Sequence, residues 1–393
     1  MVRTLLLLAI GLVVLAGCAS STPAETPVVV TRPAPTASAS PSRVPSTPTP
    51  SPVATVTQAA TVTQVATATT PPTSTPSPSA SPQPTIVSSP TVSPVVHLMA
   101  VGDLMLARSV GDRLLAKGPG AVFGGVTATL SQADLRVANL ECVISDQGVP
   151  QPKSYTFRAP PVAAQALALA GFNVVGLGNN HSLDYGTAAL ADMLGRLRES
   201  GIAYAGAGAD AEAARAPAIL DRNGVRIAFL SYVNVPVESR TAFDTRSWAA
   251  GIETPGVAWA DPAAIAQDVA QARTLADVVV VLLHSGLEGS SLYTTLQQTL
   301  AHTAIDAGAA LVLGSHSHVL QPVERYKGGL IAYSLGNFVF DGFLDPSNYT
   351  AIFSATLTPL GVTSYEWVPV VIDHGLPRLA TPDEAALILP RVR

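Results

Sequence analysis

The sequence predicts an α/β domain, and three observations carry that prediction. Past residue 94 short apolar runs alternate with stretches of helical periodicity, the pattern of strands and helices taking turns. The runs are nearly all hydrophobic rather than alternating, as in a sheet covered on both faces. Nearly every run ends in a metal-competent side chain beside Gly, Asn or another turn former.

The expected strands are Val95 to Val101, Leu135 to Asn139, Asn173 to Leu177, Arg226 to Tyr232, Asp277 to Leu283, Ala309 to Leu313 and Leu330 to Ser334. Helices fit between them: Pro161 to Ala170, Thr187 to Ser200 ended by Gly201, Pro262 to Leu275 capped by Asp261, and Ser291 to Ala307 ended by Gly308. After Ser347 the helices stop. Ala351 to Leu357 and Tyr365 to Ile372 read as closing antiparallel strands of the same domain.

Upstream, the chain has a different composition. Met1, Val2 and Arg3 precede an apolar run of about a dozen residues from Leu5 to Ala16, then Gly17 and Cys18, the layout of a secretory signal. That run is well short of the roughly 20 residues a spanning helix needs. Leu15-Ala16-Gly17-Cys18 resembles the bacterial lipobox, which implies that Cys18 is diacylated and becomes the mature N-terminus; two acyl chains anchor stably where one is marginal. Residues 19 to 94 are mostly Pro, Thr, Ser, Ala and Val with almost no charge, a composition that cannot bury a core. As a flexible coil this linker would reach roughly 50 Å. The division is therefore a signal over 1–18, a linker over 19–94 and one domain over 95–385. The expected location is the extracytoplasmic face of the membrane, projecting into the cell wall or periplasm.

Only one other cysteine exists, Cys142, so with Cys18 acylated the fold has no internal disulfide to rest on. A net charge of -5 with 12% charged residues gives no basic footprint, which argues against nucleic acid as a partner.

The candidate site follows from the strand ends. Asp103 follows the first strand, Glu141 the second, and Asn180 and His181 the third; His284 follows the fifth, and His316 and His318 the sixth. Sites in open α/β sheets assemble at the carboxyl ends of strands. Imidazole with carboxylate suits one or two divalent transition metals such as Zn, Mn or Fe. The His316-Ser317-His318 spacing would place both rings on one side of an extended segment. His97, His302 and His374 fall at a strand start, within a helix and in a late loop, and read as structural. Asp184 fits a cap or turn for the helix that follows, and Cys142 a small buried hydrophobe or a ligand beside Glu141.

The segments VGDLML (101–106), ANLE (138–141), FRAPP (157–161), GNNHSLDYG (178–186), LLHSGLE (282–288), GSHSHVLQP (314–322) and SLGNFVFD (334–341) together resemble the CapA family. These proteins are associated with poly-γ-glutamate capsule synthesis and have the calcineurin-like metallophosphoesterase fold. The resemblance implies a sandwich of two central sheets flanked by helices, with a dinuclear site on the loops between them. It makes Glu141 the bridging carboxylate, groups Asn180, His284 and His316 on one metal, and places His318 and Asp103 on the other. His181 would face the substrate as the acid for the leaving group, with Asp184 or Glu288 orienting imidazoles. Arg108 is either an anion binder or a solvated charge. Met105 stands where many phosphoesterases have a further histidine ligand, which implies a depleted first metal. Two functions are implied: a metal-dependent hydrolase acting on a phosphoester or an anionic polymer such as poly-γ-glutamate, or a non-catalytic accessory, export or anchoring subunit of a membrane polymer synthase.

Overall fold

In the strand Val278–Ser285 every residue is buried, and odd and even positions go into different cores. Val278, Val280 and Leu282 join one cluster with Leu98, Val137, Phe229 and Leu313. Val279, Val281 and Leu283 join another with Ile265, Val269, Leu300 and Ala304 from two helices. A period of two over a wholly apolar run means a sheet covered on both faces. The computed structural model describes residues 94–238 and 242–393. The signal, Cys18 and the linker lie outside the described residues.

The first sheet contains β1 (Val96–Leu104), β2 (Leu135–Leu140), β3 (Val174–Gly176), β4 (Ala203–Ala205) and, late in the chain, β11 (Asn337–Val339), β12 (Tyr349–Thr358), β13 (Gly361–Asp373) and β14 (Leu376–Leu379). Its order is β14-β13-β12-β1-β2-β3-β4, with β11 pairing alongside β1. The second sheet contains β5 (Ala218–Arg222), β6 (Val225–Asn234), β7 (Val278–Ser285), β8 (Leu311–Ser315), β9 (Val323–Tyr326) and β10 (Gly329–Ala332), in the order β9-β10-β8-β7-β6-β5. The β1-β2-β3-β4 and β6-β7-β8-β10 runs are parallel. As expected, the closing strands β12 and β13 are antiparallel, and β12 pairs directly with β1.

Helices α1 (Arg108–Lys117), α2 (Val162–Leu169) and α3 (Gly186–Glu199) bury Leu114, Leu167 and Leu190 against the outer face of the first sheet. Helices α4 (Pro262–Ala272) and α5 (Thr295–Asp306) cover the second. This is the sandwich of two central sheets flanked by helices that the resemblance implied. Asp261 caps α4 through the backbone N–H groups of Ala263 and Ala264, as its position suggested. The cap of α5 is instead a Thr294–Gln297 capping box, which starts the helix four residues later than expected. The domain also outruns 385, since that position lies inside α6 (Pro382–Ile388) and a further helical turn continues to Val392. No helix among the described residues is long and apolar enough to cross a membrane.

Candidate metal centre

The carboxyl ends of parallel strands from both sheets deliver the candidate residues to one place. Two glycines make the convergence possible. A Cβ on Gly102 would lie 1.9 Å from the carbonyl oxygen of Gly336, so only glycine lets that chain cross beside Asp103. A Cβ on Gly178 would sit 2.7 Å from the backbone nitrogen of Tyr232, where the two sheets approach just ahead of Asn180 and His181.

Asp103, Glu141, Asn180, His181, Asp184, His284, His316 and His318 are all buried. Two triads share one carboxylate: Glu141 with His284 and His316, and Asp103 with Glu141 and His318; within each, the ligand atoms lie within 4.8 Å of one another. Neither oxygen of Glu141 has a hydrogen-bond partner, and nor has Nδ1 of His316. The Nε2 atoms of His181 and His318 are 3.8 Å from Glu141 Oε1, and that of His284 is 4.0 Å from it. Such separations are too long for hydrogen bonds but within the span of two metal–ligand bonds of about 2.0–2.2 Å. A fully buried carboxylate with both oxygens orphaned is costly unless something compensates it. The donor set of imidazole, carboxylate and amide oxygen fits a divalent metal.

Neighbouring polar groups fix the rings. Nδ1 of His284 lies 2.8 Å from Ser315 Oγ, and its Nε2 lies 2.8 Å from Asn180 Oδ1. His318 Nδ1 meets Asn337 Oδ1 at 2.9 Å. Asn139 donates its amide to Asp103 at 2.8 Å and accepts from Asn179. Holding Nδ1 of His284 and of His318 in this way turns Nε2 of each ring toward the centre.

Burial pushes the imidazoles of His284 and His316 well below their usual value, and repulsion from neighbouring imidazoles, His316 and His318 on His284 and His318 on His316, adds to it, so both stay neutral. Burial drives Glu141 well above the carboxylate range, and Asp103 beside it raises it further. His318 is raised, because contact with Asp103 outweighs the opposing effect of burial.

His181 is placed differently from the other rings. Its Nδ1 lies 2.7 Å from Asp184 Oδ2, and its ring stacks on Phe157 with centroids 4.3 Å apart. Asp184 also accepts from the backbone N–H of Phe157 at 2.6 Å. It is no helix cap, since Tyr185 occupies that position without a side-chain bond. It orients the imidazole instead.

Several expectations need correcting. His316 and His318 do not lie on an extended segment: both have left-handed φ, 89° and 56°, and their rings reach the centre from a tight turn beyond β8. Glu288 is exposed and makes no hydrogen bond to an imidazole among the described residues, so it does not orient a ring. Arg108 is exposed to solvent but is not a free anion binder, because its guanidinium is ion-paired with Asp341 and lies over the rings of Phe157 and Phe340. Cys142 is fully buried, with its thiol pushed up to about 12 by burial, and belongs to neither triad. Met105 is buried in the core beneath α1. His302 pairs with Glu324 at 3.0 Å and stacks on Tyr326, while His374 is exposed.

Sequence reasoning missed Lys153 and Glu238, which carry no signal in their own spacing, and passed over Ser315 inside the 314–322 segment. Phe157, Asn139 and Asn337 lay inside the family-like segments, where attention to the ligands passed over them.

Residues 97–342 match the family described as "Bacterial capsule synthesis protein PGA_cap". The chain belongs to this family. It is 32% identical to "Capsule biosynthesis protein CapA" of Bacillus anthracis over 305 residues, covering 74% of this chain and 72% of that one. It is also 32% identical to "PGA biosynthesis protein CapA" of Bacillus subtilis, covering 70% and 72%. "Probable polyglutamine synthesis accessory protein" of Mycobacterium tuberculosis is 36% identical over 53% of this chain and 56% of its own. Among solved structures, a phosphatase from Mycoplasma pneumoniae aligns with a TM-score of 0.47 and 13% identity, covering 75% of this chain and 98% of that one. The PGA_cap match starts at the second residue of β1 and ends just past β11, so it takes in every strand end that feeds the centre.

Proposed function

We propose that this PGA_cap protein works in the synthesis or processing of poly-γ-glutamate or a related anionic capsule polymer, using a metal-dependent hydrolase-type site. The observation that carries the proposal is the buried, unpartnered Glu141 carboxylate shared by two ligand triads, with an oriented histidine beside it. The capsule-synthesis names of the relatives support the polymer; the donor chemistry supports the metal.

In this reading Glu141, Asn180, His284 and His316 would hold one divalent metal, and Glu141, Asp103 and His318 would hold the other. When bound, the metal supplies a polarising charge that lowers the pKa of an attacking water and stabilises developing negative charge. Asp184 Oδ2 accepts from His181 Nδ1 and so presents Nε2 to the centre, the atom that would hold and deliver the leaving-group proton. Phe157 stacks on the same ring and restricts its rotation.

The proposed setting is extracytoplasmic, with Cys18 acylated and the linker holding the domain away from the membrane beside a polymer synthase. A second reading draws on the mycobacterial relative's printed name, an accessory protein: the site would then serve a non-catalytic subunit that binds or exports polymer. Elemental analysis of purified protein, followed by turnover assays on phosphodiesters and polyglutamate, separates the two. Metal with turnover supports the hydrolase; metal without turnover on either substrate supports the accessory role; no metal under metal-replete conditions overturns both site readings.

A further inference from the structure

Lys153 is the least expected feature near the centre. Its side chain is completely buried, on an otherwise polar loop between β2 and α2. An ammonium group has three N–H donors and no acceptor. Here it lies 2.6 Å from Asp184 Oδ1 and 2.6 Å from Glu238 Oε1, and it also meets the backbone carbonyl of Asn180. The Trp248 ring lies 4.6 Å from Nζ and seals the remaining side. The charge has three acceptors for three donors and does not reach solvent, so it is not a substrate anchor.

Each acceptor leads to the centre. Asp184 holds Nδ1 of His181. Glu238 accepts from Asn180 Nδ2 at 3.1 Å, which fixes the rotation of that amide and leaves its oxygen facing His284. The carbonyl of Asn180 ties down the backbone between the two. Resting on the metal-centre reading above, we infer that Lys153 is a positioning residue: through Asp184 and Glu238 it aims the His181 ring and the Asn180 oxygen at the metal centre. Removing its charge leaves the buried Asp184 and the half-buried Glu238 without their cation and frees both arms.

The test is metal affinity of the folded full-length chain, measured by titration with Mn2+ and with Zn2+ well below the unfolding temperature. Lys153→Met is expected to weaken binding by 10-fold or more, the usual cost of losing a group that orients ligands. Glu238→Ala, which removes one acceptor of the lysine and frees the Asn180 amide but leaves Lys153 on Asp184, is expected to weaken it less, and the double variant no more than Lys153→Met alone, because the two act along one path. Arg215→Met, which breaks the Arg215–Asp268 pair outside the centre, should bind as wild type does. If wild type binds metal and both Lys153→Met and Glu238→Ala bind it with unchanged affinity, the positioning role is wrong and the metal centre stands. If wild type binds neither ion, the metal reading itself fails. Should Lys153→Met not fold, Glu238→Ala alone decides: unchanged affinity sinks the inference.

Discussion

His316 shows how a single residue can be assigned and checked. Its Nδ1 is buried without a partner, and it shares a triad with Glu141 and His284. His316→Ala should therefore empty that half of the centre. At metal concentrations near 100 times Kd it should also forfeit about 2.7 kcal/mol of ligand-derived stability. His302→Ala is the control, since His302 is bound to Glu324 and not to the centre; equal metal loss in both variants would falsify the assignment. His181→Ala should behave oppositely to His316→Ala, keeping its metal and losing whatever turnover the wild type has. Proton linkage gives a further check. Glu141 has a raised pKa in the metal-free fold, so the stability its protonated form contributes is present below the ordinary carboxylate value and lost as pH rises through the raised one. Metal must displace that proton, while His284 and His316 are already neutral. The gain in melting temperature on adding metal should therefore widen as pH rises above the ordinary carboxylate range, and calorimetry should record proton release. A pH-independent gain would count against Glu141 as a ligand. The ligands were legible because each follows a strand and its chemistry is distinctive. Lys153 and Arg108 were not, because what they do depends on Glu238 and Asp341, which no local pattern links to them.

At the scale of elements, the strand runs were readable because burial on both faces leaves little in them but Val, Leu, Ile and Ala. The short edge strands β5, β9 and β14 were not, since their residues are only partly buried and carry no clear period. Helix α1 went unread because Arg108 begins it at a positive φ of 51°, with no side-chain cap, and Gly111 interrupts it. Gly111 is there to let Pro160 pack: a Cβ would meet the proline ring at 3.1 Å. The left-handed turn carrying His316 and His318 was equally hidden, since positive φ is uncommon even for histidine, and no glycine marks the turn at either position. The packing itself predicts an asymmetry. Leu98 is fully buried between the sheets, and Leu98→Ala should cost about 2–5 kcal/mol without altering metal stoichiometry in the folded fraction. Gly102→Ala should cost about 1–3 kcal/mol through overpacking and also weaken metal binding, because the displaced Gly336 carbonyl accepts from the N–H of Asp103 at 2.9 Å. Denaturant melts paired with metal titration distinguish the two. If Gly102→Ala lost stability alone, the crossing chain would not be what holds Asp103 in place.

For the whole molecule, the composition change near residue 94 marks where a core becomes affordable. The described fold opens with Val96 and Leu98 already fully buried between the sheets, and it runs to Val392, which packs with Ile388 and Leu320. Residues 19–94 offer nothing comparable: their Pro, Ser and Thr cannot offset the entropy of ordering the chain. Limited proteolysis of the full-length protein should therefore leave a stable fragment that begins close to Val95 and keeps the C-terminus. The fragment should retain the metal content of the intact chain, because every triad residue lies beyond that point. Anchoring is tested in the same preparation. With Cys18 diacylated, the protein should label with palmitate and sediment with membranes; proteolysis should then release the metal-bearing fragment and leave the label behind. Cys18→Ala should abolish the label while yielding the same fragment. Labelling that survives Cys18→Ala would sink the lipid anchor and leave the tether intact as an idea. A resistant fragment that still holds most of 19–94 would do the reverse, since a segment that withstands protease must be packed against something its composition does not supply.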